Sequence, residues 1–502
     1  MSTDTPSDKP DPLAAFLPRL YLPLLLVFIA VASWRPLTGS EDFYAHAAVG
    51  RWIWQHQNVP HQTLWLWGST PVEWIAHSWL SQLTFFSWMS LGGEYLALLM
   101  TIVLASIPFV IFWKIWEKRG RINALTPLFF LLAIWCAYAR FQPRPELFSS
   151  LFLGCLLLFL MHLPQALTWR NAAGVVVLFA VWANFHGGVA LGLLVLLVTV
   201  GSELLQQKAA RPAWLLALLF LACLAAVNIN PYGFHYWQAL KPVGGAMFQM
   251  IDEWKSPLTA PALPFEAIFM VCSMIAIAFI TWWKNPERRW AHALWVALAL
   301  VLFFTARRNL WPCALLSLAV AAANVRQLSV AMPRPKTSNA PALGPVTAVI
   351  VILSACSVML SPLAFSQVNG MPVLRATSPV LSRGAASAVL EQDLPQPVFN
   401  DYLRSGYLHW RYAGQPPIYI DLLNAYPDDL LAKYFDIVKR TPRGIAEWEK
   451  LNVNTVVFGS YQKTDRLSAL AQYLDTNPQW RVVYDKADGK VWVRRNPRQV
   501  QP

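Results

Sequence analysis

"YLPLLLVFIAVASW" (residues 21–34) is followed at 39–54 by "GSEDFYAHAAVGRWIW". The first stretch is apolar on every face, which suits a helix in lipid better than one resting on a soluble core. The second places two carboxylates and a histidine just beyond the end of that helix. Ionisable groups beside hydrocarbon are costly and mark positions that act, so this junction asks for a function.

The same apolar texture recurs along the chain. Of its 502 residues 56% are hydrophobic and 13% charged, against roughly 25% charged in an average soluble protein. A bilayer-spanning helix needs roughly 20 residues. Eleven stretches approach that length, at about 17–36, 94–116, 122–139, 146–163, 171–185, 188–206, 212–229, 264–283, 289–305, 309–325 and 343–363. The expected fold is therefore a multi-span α-helical membrane protein of about eleven spans, with residues 1–16 as an N-terminal tail and 17–365 as the membrane domain. The first run also fits a signal peptide, but the charged motif beginning a few residues later favours an uncleaved anchor.

A net charge of +13 does not point to nucleic acid, because the basic residues are scattered through short loops. They read as topology. With the N-terminus in the cytoplasm, the loops around Lys118, Arg170, Lys208, Arg288 and Arg334 lie inside, and the opposite loops keep fewer basic residues. An odd number of spans then sends the C-terminal region outside a bacterial plasma (inner) membrane. All six cysteines fall inside predicted spans, which implies neither a disulfide framework nor a paired-cysteine metal site.

The first outer loop, 37–93, is rich in Trp and His. "EDFYAHAAVGRWIWQHQ" and "PVEWIAHSWLSQLTFFSW" are predicted as two helices on the membrane surface, the second opened by Pro71. Near 366 the hydropathy drops, and a small α/β domain is expected over 366–495 with a disordered tail at 496–502. "PVFNDY", "PPIYIDLLN" and "NTVVFG" read as strands, and "YPDDLLAKYFDIVKR" and "TDRLSALAQYL" as helices. Thr441 is a helix cap with Pro442 behind it, and a hairpin turns at Asp488 and Gly489. There is no glycine-rich phosphate loop.

Asp42 and His46 are four apart on a predicted helix and so share a face. The carboxylate suits a general base on a hydroxyl, with the imidazole orienting it. Glu41 reads as a cap of the same helix. The other polar outliers gather at outer span ends: Arg140, Arg144, Glu146, Asn184, His186, Asn228, Asn230, Glu253, Arg307 and Arg308. Arg307 and Arg308 fit a fork for a phosphate or pyrophosphate, or else snorkel to headgroups. His186, in "NFHGG", points into a site or is held structurally. The asparagines of "NINPYG" touch substrate or satisfy a turn. His46, His56, His61 and His77 fit no usual metal spacing, so no metal is assigned, with a divalent ion left open.

Many spans, outer arginines and an external carboxylate together suit a lipid-phosphate substrate. The tail lies between helices, arginine meets the phosphate, and the reactive carbon faces Asp42. Glycosyl transfer from a polyprenyl-phosphate sugar to a glycan, lipid or protein acceptor is the reaction this favours. The alternative is a non-enzymatic lipid-linked glycan transporter, or a scaffold of an envelope polysaccharide export complex.

The chain also resembles the GT-C superfamily of integral-membrane glycosyltransferases, which includes protein O-mannosyltransferases and lipid A sugar transferases. The resemblance rests on the acidic residue in the first outer loop, on the surface helices there and on the number of spans. "DFYAHAAVGRWI" (42–53), "WIAHSWL" (74–80), "RPE" (144–146), "WANFHGG" (182–188) and "NPYG" (230–233) resemble, more closely, a group of bacterial multi-span proteins classed as glycosyltransferases. It implies the same fold and a transferase activity. It also implies an acidic residue shortly after Pro60, where this chain reads "HQTLWLW"; Glu41, Glu73 or Glu253 would have to supply a second carboxylate.

Overall fold

The structure, a computed structural model, describes residues 16–34, 41–163, 167–206, 213–239, 251–259, 262–325, 343–360, 365–368, 371–374, 381–459 and 469–498. The N-terminal tail up to residue 15 lies outside them. A turn of 3-10 helix at Leu17–Leu20 leads into α1 (Tyr21–Ser33). There follow α2 (Glu41–His56), α3 (Trp79–Arg119), α4 (Leu125–Ala137), α5 (Glu146–Met161), α6 (Trp169–Phe185), α7 (Val189–Gln206) and α8 (Ala213–Ala226). Beyond them come α9 (Phe265–Trp283), α10 (Trp290–Thr305), α11 (Leu310–Asn324) and α12 (Leu343–Leu360).

Helices occupy all eleven stretches expected to span. Among the described residues three of them, α3, α7 and α9, are long and apolar enough to cross a membrane by length and composition. The other eight helices have 13 to 18 residues each. Leu99, Val181, Leu218, Phe269 and Val301 stand exposed on the bundle's rim, the outward apolar surface that lipid covers.

The bundle is organised around α11. Every residue from Trp311 to Ala322 is buried, and α3, α4, α5, α9 and α10 pack on it. Ala314, Ser317, Ala319, Ala321 and Ala322 give it a slim profile that lets neighbouring backbones approach. Buried indoles find hydroxyl partners, with Trp182 Nε1 donating to Ser149 Oγ at 2.8 Å and Trp295 Nε1 to Thr199 Oγ1 at 2.9 Å.

The second surface helix of the first loop starts later than expected, at Trp79 rather than Pro71. Residues 61–74 instead form a hairpin, in which Thr63 N–H donates to Val72 O and Trp74 N–H to His61 O. The helix then runs to Gly92 and breaks at Gly93, whose φ of 62° suits glycine alone, before Glu94 opens the spanning part.

The C-terminal region holds a two-stranded ribbon, β1 (Phe365–Val368) with β2 (Met371–Leu374), and a four-stranded sheet. The sheet contains β3 (Val398–Asn400), β4 (Thr455–Gly459), β5 (Trp480–Lys486) and β6 (Gly489–Arg494) in the order β3-β4-β6-β5, with β3 and β4 parallel and the rest antiparallel. Helices α13 (Arg383–Glu391), α14 (Ser405–Tyr412), α15 (Asp428–Lys439), α16 (Pro442–Lys450) and α17 (Ala469–Thr476) surround it. Thr441 Oγ1 accepts from Gly444 N–H at 3.1 Å, the cap expected of it.

Two expectations fail here. "PPIYIDLLN" is not a strand: Ile418 alone bridges, to Val398 on one side and Leu66 on the other, and the chain turns at Asp421, whose Oδ1 accepts from the N–H groups of Leu423 and Asn424. The tail is held as far as Arg498, whose N–H donates to Asn454 Oδ1 at 2.8 Å.

The same bridge joins the first loop to the C-terminal region. Ile418 N–H donates to Trp65 O and Trp67 N–H to Ile418 O, both at 3.0 Å, while Trp67 Nε1 donates to Val398 O at 2.7 Å. Residues 65–67 of the first loop thus extend the sheet beyond β3.

Candidate active site at the helix ends

From Glu41 to Gly50, only Asp42 and His46 are half-buried, and every other residue is buried. The i, i+4 pair is therefore the open stripe of α2. Helix α14 clamps the start of α2. A Cβ on Gly406 would lie 2.0 Å from Glu41 O, so only glycine permits this approach. Glu41 Oε2 accepts from Tyr407 N–H at 3.0 Å, and Arg404 Nη1 lies 3.6 Å from Oε1. Glu41 thus reaches across to the C-terminal helix instead of serving as a cap of its own helix. Burial, only partly offset by that hydrogen bond and by Arg404, pushes its carboxyl up to about 8.

The turn Tyr138–Arg140 closes α4, and the proline-stiffened loop "FQPRP" delivers Glu146 as the first residue of α5. Arg307–Asn309 form the turn before the central helix α11, and Glu253 sits in the turn Asp252–Trp254. These ends meet. Arg144 Nη2 lies 2.8 Å from Asp42 Oδ2, and its Nη1 3.5 Å from Glu253 Oε2. The same Glu253 oxygen takes Arg140 Nη2 at 3.0 Å, and Arg140 Nη1 lies 3.3 Å from Glu146 Oε2. Glu146 Oε1 pairs with Arg308, whose guanidinium lies 3.9 Å from the centroid of the Trp254 ring.

Acid and base alternate through Asp42, Arg144, Glu253, Arg140, Glu146 and Arg308. Burial opposes the charge on Arg144, but Asp42, Glu253 and Glu146 together outweigh it and raise its pKa. The chain is neutral as a whole, which is how six charges sit together in a poorly solvated place.

Three imidazoles line the same region. His186 Nδ1 accepts from Gly188 N–H at 3.1 Å, so the ring proton lies on Nε2; Ser149 Oγ is 2.8 Å from the same Nδ1. Burial pushes His186 down to about 3, as it does His46, which also feels His77 and Arg144. His77 is likewise lowered by burial, and its ring centroid is 6.2 Å from that of His186. All three are neutral hydrogen-bonding groups at neutral pH. The polar partner of His46 is Gln82, whose Nε2 lies 3.2 Å from Nδ1.

Not every expected residue joins this cluster. Asn230 is committed to its own turn, with Nδ2 donating to Val227 O and Oδ1 accepting from Tyr232 N–H, both at 2.8 Å. Arg307 and Arg308 do not form one fork, because Arg307 Nη2 donates to Thr259 O at 2.7 Å while Arg308 turns to Glu146. Sequence reading weighed His77 only as a metal ligand and passed over Trp254 and the domain residues Tyr402 and Asp421. Asp42 acts electrostatically on Tyr402, and Asp421 on His46, and no local pattern places those pairs together. Among the described residues, no group of three or more His, Cys, Asp or Glu side chains is disposed to hold a metal.

Solved structures that resemble this fold include the following two. The arabinofuranosyltransferase AftD from Mycobacteria superposes with a TM-score of 0.56 over 95% of this chain, at 13% identity. The apo oligosaccharyltransferase of Archaeoglobus fulgidus gives a TM-score of 0.56 over 88% of this chain, at 12% identity. The chain shares the fold of these two proteins. It spans 40% of the length of the mycobacterial protein and 70% of the archaeal one. No family model matches the sequence, and no curated protein is similar to it in sequence. Within this fold, the alternating charges lie at helix ends that adjoin the loop-borne helix α2.

Proposed function

We propose that this protein is a membrane glycosyltransferase that moves a sugar from a polyprenyl-phosphate donor to an acceptor hydroxyl outside the bacterial plasma membrane. The observation that carries this reading is the ladder from Asp42 to Arg308, set at one end of an apolar bundle with the GT-C fold. Arg140, Arg144 and Arg308 hold the donor phosphate, with neutral His186 offering its Nε2–H. Asp42 takes the proton of the acceptor hydroxyl as its oxygen attacks the anomeric carbon. The bond from that carbon to the phosphate oxygen breaks, its electron pair stays on phosphate, and the arginines stabilise the charge that develops. One displacement inverts the anomeric centre.

His46 shapes the pocket beside Asp42 through Gln82. In this reading the N-terminus is cytoplasmic, eleven helices span the membrane, and the C-terminal domain and the first loop form one roof outside. The test is sugar release from a panel of radiolabelled polyprenyl-phosphate sugars by the purified protein in detergent. Turnover by the wild type that disappears in Asp42→Asn, with donor binding kept, supports the reading. Equal behaviour of the two proteins, or no turnover of any donor, overturns it in favour of transport or scaffolding.

A further inference from the structure

We infer that Glu253 is a built-in stand-in for the donor phosphate, bridging Arg140 and Arg144 in the donor-free protein and leaving when the phosphate enters. The inference rests on the proposal that these arginines bind phosphate, and it assigns Glu253 the role of gate instead of a contact to substrate.

The geometry is that of an anion shared between two guanidiniums. One oxygen, Oε2, takes Arg140 at 3.0 Å and Arg144 at 3.5 Å. A phosphodiester offers two charged non-bridging oxygens, so it can give each guanidinium its own charge-assisted bond where the carboxylate gives both the same atom. Substituting one monoanion for another leaves the ladder neutral, and no guanidinium is stranded in a poorly solvated place.

Among the three carboxylates, Glu253 is the one able to leave. Its side chain is 34% exposed, against 25% for Asp42 and 8% for Glu146, so its return to water is the least hindered. It sits on a short turn of three residues, not on a bundle helix. Its neighbour Trp254 lies under Arg308, and a move of Glu253 therefore disturbs a tryptophan.

One consequence is an order of events. In the donor-free state Arg144 grips both Glu253 and Asp42. A phosphate that takes over Arg144 weakens its hold on Asp42, and the carboxylate becomes free to accept a proton only once the donor is seated. Donor would bind first and acceptor second, which guards the base until there is a sugar to transfer.

The experiment titrates the full-length protein in detergent with farnesyl phosphate at about pH 5, where this phosphomonoester is mainly a monoanion, following tryptophan fluorescence, with farnesol as the uncharged control. Glu253→Gln is expected to bind farnesyl phosphate about tenfold tighter than wild type, with farnesol affinity unchanged. Glu253→Asp, too short to bridge both arginines, is expected to tighten it as well and covers the case in which the first variant does not fold. Equal or weaker binding by a folded variant overturns the inference. Tightening without sugar transfer from any donor supports the stand-in while rejecting the transferase reading. Unchanged farnesyl phosphate affinity in Arg140→Ala and Arg144→Ala rejects the phosphate site and the stand-in together.

Discussion

The two ends of α10 carry arginines of opposite character. Before its first residue, Arg289 gives Nε (3.0 Å) and Nη2 (2.5 Å) to Glu203 Oε1, and Nη1 to Leu160 O at 2.9 Å. Nearby, Arg119 Nη1 donates to Ala323 O at 3.1 Å, and Asn324 links His292 and Asn285. Beyond its last residue, Arg308 joins a ladder in which carboxylates are shared between guanidiniums. Backbone carbonyls cannot leave, and among the described residues the buried Glu203 serves Arg289 alone, so the first arrangement is a brace. Shared carboxylates can be replaced by another anion, so the second is suited to a ligand. An arginine near a membrane is best judged by whether its partners are exchangeable.

The largest effect expected at the ladder is that of Asp42→Asn, which removes the proposed base and should lower kcat by about 10²- to 10⁴-fold, read in single-turnover sugar transfer with donor saturating. The brace should answer differently. Arg289→Ala strands the buried Glu203 and is expected to cost about 3–5 kcal/mol of stability, seen as a lower Tm and poor yield, with turnover per folded molecule kept. Arg308→Ala should raise the donor KM about tenfold with little change in Tm, because Glu146 retains Arg140. A matching loss of stability in both arginine variants would erase the contrast.

The clamp between α2 and α14 sharpens the contrast through pH. Glu41 is pushed up to about 8 by burial, so the folded protein holds a proton that the unfolded chain releases above the ordinary carboxylate range. This contribution to stability is fully present at low pH and is lost as pH rises towards about 8. Thermal unfolding between pH 5 and pH 8 should show Tm falling for the wild type and a flatter profile for Glu41→Gln. The smallest effect is expected far from either cluster. Thr441→Ala removes a helix cap at the edge of the C-terminal domain and should cost about 1 kcal/mol, measured by denaturant unfolding, with transfer unaffected.

What the sequence made legible was what local pattern encodes. Apolar runs gave the helices, Thr441 with Pro442 gave a helix start, and charges at helix ends gave Asp42, Arg140, Arg144, Glu253 and Arg308 as neighbours on one side. Partners far apart in the chain were not legible. Glu41 meets Tyr407 across 366 positions, so a residue that reads as a cap becomes a clamp. The hairpin at 61–74 exists beside a sheet whose nearest member is Ile418, and without that partner "PVEWIAH" reads as helix. Arg307 and Arg308 look like a pair, but a 3-10 turn points consecutive side chains in different directions. The approach of the domain residues Tyr402 and Asp421 to α2 likewise depends on tertiary docking.

The most direct test of the ladder from Asp42 to Arg308 as a phosphate site is an experimental structure of the protein with farnesyl phosphate bound. The expected result is phosphate within hydrogen-bond distance of Arg140 and Arg144, with Glu253 displaced and the contact between Asp42 and Arg144 loosened. Phosphate bound instead beside Arg289 and Arg119, with the ladder intact, would contradict it.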